Sequence, residues 1–143
     1  MIERPQLAQH ALFGGLTPEQ VALVLPHLQV EHFAAAEMVI REGEKGDRLF
    51  FIGSGRVEVF CGEYPQVHLA ELGEGDAFGE MELIDTQPRS ASVRALTVLH
   101  TYSLKSHDLH AVAQEAPNIF TMIVLNLARE LSRRLRLMNS RLR

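Results

Sequence analysis

The chain has 143 residues, 46% of them apolar and 22% charged, with a net charge of −4, the makeup of a soluble globular domain. That charge excludes nucleic-acid binding by bulk attraction, and the single cysteine, Cys61, excludes an internal disulfide. No apolar run reaches the ~20 residues of a membrane span and no secretory signal opens the chain, so one cytoplasmic domain over 1–143 is expected.

Thr17-Pro18-Glu19-Gln20 opens a helix: Thr17 caps, Pro18 fits the first turn, and Gln20 reaches back to close a capping box. Val21, Leu25 and Leu28 continue at helical spacing, with Pro26 ending or bending the helix. From about 30 to 104 the pattern becomes short strand-like runs at 38–40, 49–52, 57–60, 67–72, 91–95 and 98–104, punctuated by glycines. Many short strands with Gly turns predict an antiparallel sandwich or barrel. Gly53-Ser54-Gly55 between two such runs predicts a hairpin. Helix returns at Ser106, where Leu109, Val112 and Ala113 share a face, and Pro117 opens a longer helix; together they occupy about 106–141. From Arg129 onward six arginines face one acid, Glu130. Arginines on a helix without interleaved aromatics read as a solvated face, so direct nucleic-acid binding is not expected.

The densest unusual stretch runs from Gly73 to Leu83 and resumes at Gln87-Pro88-Arg89-Ser90-Ala91-Ser92-Val93. Gly79 permits close backbone approach and starts a short helical turn to about Ile84, whose amides can hold a phosphate. Arg89 offers a forked guanidinium to the same anion. Glu80 is an acceptor suited to a sugar hydroxyl. From spacing alone, an ordinary Glu80–Arg89 ion pair beside two turns accounts for the same residues.

Phe78-Gly79-Glu80, a short helix, and then Pro88-Arg89-Ser90-Ala91 resembles the phosphate-binding cassette of the cyclic nucleotide-binding domain family. That family includes catabolite activator proteins, regulatory subunits of cyclic-AMP-dependent kinase and cyclic-nucleotide-gated channels. Gly43-Glu44-Lys45-Gly46-Asp47-Arg48-Leu49-Phe50-Phe51-Ile52, followed by Gly55-Arg56-Val57-Glu58-Val59, is similar to a second family pattern. The resemblance runs from about Phe13 into the C-terminal helix. It implies a mainly β fold: an antiparallel jelly-roll β-barrel (a double-stranded β-helix) with an N-terminal helix, a short cassette helix and two C-terminal helices.

The resemblance also implies a non-enzymatic sensor whose ligand is cAMP ahead of cGMP, with no cofactor, signalling through its C-terminal helix to an unidentified downstream protein. Phe78, Gly79, Glu80, Met81, Glu82, Arg89, Ser90, Ala91 and Arg134 are the ligand-binding positions it implies. Glu80 accepts from the ribose 2′-hydroxyl and Arg89 neutralises the phosphate. The amide of Glu82 and Ser90 complete the cradle, Val93 packs beneath the ligand, and Arg134 stacks on the base. One departure stands out: the family carries a small residue where this chain has Glu82, beside the expected phosphate. An inward carboxylate there would repel the ligand, which leaves a second reading: a degenerate pocket serving protein interaction or another small effector.

Val124, Ala128, Leu131, Leu135, Met138 and Leu142 repeat every three or four residues, an a/d stripe that can pair two copies or fold back on the chain's own barrel. His107 and His110 lie three apart without an evident third ligand, so no metal is expected there. His32, His68 and His100 fall in strand-like runs with no common spacing. No Ser-His-Asp order or phosphate loop supports catalysis.

Overall fold

The computed structural model describes residues 11–63, 65–79 and 88–141. After a 3-10 turn at Ala11–Phe13, helix α1 spans Pro18–Val24. Its capping box forms as the sequence requires, with Thr17 Oγ1 accepting from the Gln20 amide and Gln20 Oε1 from the Thr17 amide. Pro26 sits in a second 3-10 turn, Leu25–His27, because its ring cannot continue the α-helical ladder. Leu28, expected on that helix, is instead the first residue of a strand.

Eight strands follow: β1 Leu28–Phe33, β2 Met38–Ile40, β3 Arg48–Ser54, β4 Val57–Cys61, β5 Val67–Leu72, β6 Ala77–Phe78, β7 Ser92–Ala95 and β8 Leu99–Lys105. They form two antiparallel four-stranded sheets, ordered β1-β8-β3-β6 and β2-β7-β4-β5. This is the expected jelly roll. The expected hairpin at Gly53-Ser54-Gly55 does not form: β3 and β4 belong to different sheets, and the glycines carry the chain across from one to the other. Gly55 has φ +99°, and a Cβ on it would stand 2.4 Å from the Val98 carbonyl oxygen, so only glycine fits the crossing. The expected short cassette helix falls at 80–87, outside the described residues.

The core has two layers. Phe50 and Ile52 point between the sheets with Ile40, Val57, Phe78 and Leu99. Leu49 and Phe51 point the other way, toward Phe13, Val24, Val112 and Ile123 beneath the helices. The first sheet is therefore covered on both faces, which is why β3 reads as the unbroken apolar run Leu-Phe-Phe-Ile instead of alternating.

Helix α2 spans Ser106–Glu115 and α3 spans Pro117–Arg141. Ile119, Ile123 and Leu127 of α3 are buried against the first sheet, each contributing roughly 1.5–3 kcal/mol. Asn126 fastens the same face: its Nδ2 donates to the carbonyls of Leu12 at 2.9 Å and Gly14 at 2.8 Å. The heptad stripe lies elsewhere on the helix. Val124 and Ala128 are exposed, and Leu135 and Met138 are 59% and 57% exposed.

Candidate functional site

A cavity of about 400 Å³ opens between the second sheet and the distal half of α3. Ile40, Leu72 and Val93 form its floor and Leu131, Leu135 and Met138 its outer wall. Phe78, Gly79, Arg89, Ser90, Ala91 and Arg134, six of the nine positions singled out in the sequence, all line it. The other three, Glu80, Met81 and Glu82, lie outside the described residues. The distal part of the stripe thus turns toward the chain's own sheet, while Val124 and Ala128 remain open.

Arg89 gives the cavity its chemistry. It is 6% exposed, and its guanidinium donates to the Gly79 carbonyl at 3.1 Å and the Arg48 carbonyl at 3.2 Å. Its backbone is held as well: the Arg89 amide donates to the Glu44 carbonyl and its own carbonyl accepts from the Gly43 amide, both at 2.8 Å. The upstream and downstream motif stretches are therefore one structural unit, with the loop after β2 serving as the seat for Arg89. Gly79 must be glycine on two counts. It has φ +84°, and a Cβ there would lie 2.9 Å from the Arg89 guanidinium.

Arg48 is itself fixed by Glu31 at 2.5 Å and Asp47 at 3.2 Å. Arg89 also borders a smaller cavity of about 230 Å³, where Glu31, Glu44 and Asp47 stand among Arg41, Lys45 and Arg48 and offset their charge. The larger cavity combines a buried, oriented cation with mostly apolar walls. It suits a ligand with an anionic end and a flat apolar end.

The outer wall is held by charge. Arg134 lines the cavity and donates to the Ala77 carbonyl and, at 3.3 Å, to Glu130. Glu130 also accepts from Arg133 at 2.6 Å, and Arg133 reaches Asp76 at 3.3 Å. The Arg133 hydrogen bond holds the Glu130 carboxyl below the usual carboxylate range, with Arg134 adding to it against the opposing effect of burial. This clasp joins α3 to the segment leading into β6. Sequence reasoning missed it because Asp76 and Arg133 are 57 residues apart. Gly46 was also missed as a site residue: it packs against the Arg89 guanidinium, and its place in the upstream motif was the available signal.

Residues 30–116 match the family described as the cyclic nucleotide-binding domain. The chain is 32% identical over 129 residues to the CRP-like cAMP-activated global transcriptional regulator of Mycobacterium tuberculosis, covering 89% of this chain and 58% of that protein. It is 35% identical to the cyclic AMP receptor protein of Thermus thermophilus, covering 87% of this chain and 57% of that protein. This chain thus spans less than two thirds of either regulator. Among solved structures, a cyclic nucleotide-binding domain from Methylobacillus flagellatus superposes with a TM-score of 0.90 at 25% identity, covering 96% of this chain and 81% of that one.

Proposed function

The chain belongs to the cyclic nucleotide-binding domain family, and on that premise we propose that it is a cAMP sensor that acts through the distal half of α3. The observation that carries this reading is the placement of Arg89 and Arg134 on one apolar cavity. Arg89 takes the cyclic phosphate as a forked, charge-assisted pair. Ser90 adds a polar contact beside it, and Gly79 lets the backbone approach. Glu80 accepts from the ribose hydroxyl and the Glu82 amide completes the phosphate cradle. The purine lies among Leu72, Val93, Leu131 and Leu135, with the Arg134 guanidinium against its face. The cAMP-responsive relatives support cAMP over cGMP.

The two halves of α3 differ in how they are held, and that difference supports a switch. The proximal half is bolted to the core by Ile119, Ile123, Asn126 and Leu127. Beyond Ala128 the helix is mostly exposed and held by the clasp from Glu130, Arg133 and Arg134. A nucleotide touching both Arg89 and this distal segment favours one docking of it over others. Exposed Val124, Leu125 and Ala128 supply an apolar face for a second copy.

Hydrogen exchange of residues 131–140 with and without saturating cAMP tests the switch. Slower exchange on binding is the expected result. Tight binding with unchanged exchange there would remove α3 from the mechanism.

A further inference from the structure

We propose that His32 and His100 form a two-imidazole site for a divalent transition-metal ion, copper(II) or nickel(II) ahead of zinc(II). The two residues are directly cross-strand partners on β1 and β8. Their Nδ1 atoms are 2.5 Å apart, closer than a hydrogen bond ordinarily brings two nitrogens. The ring centroids are 4.6 Å apart and the ring planes stand at 79° to each other, so the rings meet edge to edge instead of stacking.

Neutral imidazoles so placed offer two lone pairs to one point. With metal–nitrogen bonds of about 2.0–2.1 Å, two adjacent positions of a square-planar ion put the nitrogens roughly 2.8–3.0 Å apart. A small outward rotation of the rings supplies the difference, and the exposed His32 is placed to make it. They lie on the outer face of the first sheet, the face that carries Leu28, Tyr102 and Leu104 into the helical layer. Here that layer gives out: His32 is exposed and neighbouring Val30 is 45% exposed.

The donor set decides the ion. Nitrogen donors without carboxylate exclude the calcium and magnesium class and follow the order in which copper(II) binds most strongly. Among the described residues no group of three or more His, Cys, Asp or Glu side chains converges, so water or a small anion completes the coordination. The pair lies apart from the residues lining the cavity that holds Arg89, so the site stands independently of nucleotide binding.

The test is titration of the full chain with copper(II), read by affinity and by the nitrogen splitting in the electron paramagnetic resonance spectrum, beside His32→Gln, His100→Gln and His107→Gln/His110→Gln. The proposal expects a two-nitrogen signal in the parent chain. Each of the first two variants should lose at least about tenfold in affinity, the gain of a second linked donor, and show a one-nitrogen signal, with circular dichroism unchanged. The helix variant should match the parent. Affinity and splitting unchanged in both His32→Gln and His100→Gln, or lost in the helix variant instead, would overturn it.

Discussion

Gly46 makes room for Arg89: a Cβ built on Gly46 would stand 2.4 Å from the Arg89 Nε and 2.5 Å from its Cζ. The guanidinium is caught between this glycine and Gly79, and its aim into the cavity depends on both. Gly46→Val should therefore push Arg89 off its two carbonyl acceptors. We expect cAMP affinity to fall at least about tenfold and overpacking to cost about 1–3 kcal/mol of stability. Calorimetry and chemical denaturation measure the two; full affinity would show that Arg89 can relocate without loss.

Arg89→Lys keeps the charge and removes the fork. A lysine cannot span the Gly79 and Arg48 carbonyls and still present a planar pair of donors. We expect at least about a tenfold loss of cAMP affinity, part of it from a buried charge held less well. An unchanged affinity would reduce the role of Arg89 to that of a point charge.

Asn126→Ala separates stability from binding. It strips the carbonyls of Leu12 and Gly14 of their common donor, with an expected cost of about 1–3 kcal/mol in urea denaturation. cAMP affinity should stay within about threefold of the parent, since Asn126 does not line the cavity. A loss as large as that of Arg89→Lys would mean that the anchored half of α3 also shapes the pocket.

The clasp predicts a pH response. Hydrogen bonding from Arg133 lowers the folded-state pKa of Glu130, so its stabilisation is fully present above the unfolded value of about 4.3 and is lost as pH falls through the lowered folded value. Exchange protection of residues 131–140, corrected for intrinsic rates, should be flat from about pH 8 to 5 and fall only in stronger acid. Glu130→Gln should show reduced protection throughout, by about 1 kcal/mol or less, because its main partner Arg133 is 53% exposed. Equal protection in parent and variant at neutral pH would show that the clasp contributes nothing.

Much of this was legible in the residues because it was local. The Thr17–Gln20 capping box and the start of α3 at Pro117 follow from chemistry within one turn of helix. Arg89, Ser90 and Arg134 were reached through resemblance, and the cavity brings them together. Most of the misses come from pairing across the fold. Gly53-Ser54-Gly55 carries turn chemistry, but sheet membership is decided by partners far away, β8 for β3 and β7 for β4. β1 escaped notice because its alternation of Leu28 and Val30 with Gln29 and Glu31 stops at His32, where an apolar residue would continue it. His32 and His100 meet across 68 residues, and Asp76 and Arg133 across 57, separations that no periodicity encodes.

The most direct measurement is a calorimetric titration of the chain with cAMP and with cGMP, beside Arg89→Ala. The account predicts cAMP binding at about micromolar affinity or tighter, weaker binding of cGMP, and loss of both in a variant that remains folded. No heat and no thermal stabilisation at millimolar nucleotide would contradict it, and would leave the family's fold in this chain serving a different ligand or a protein partner.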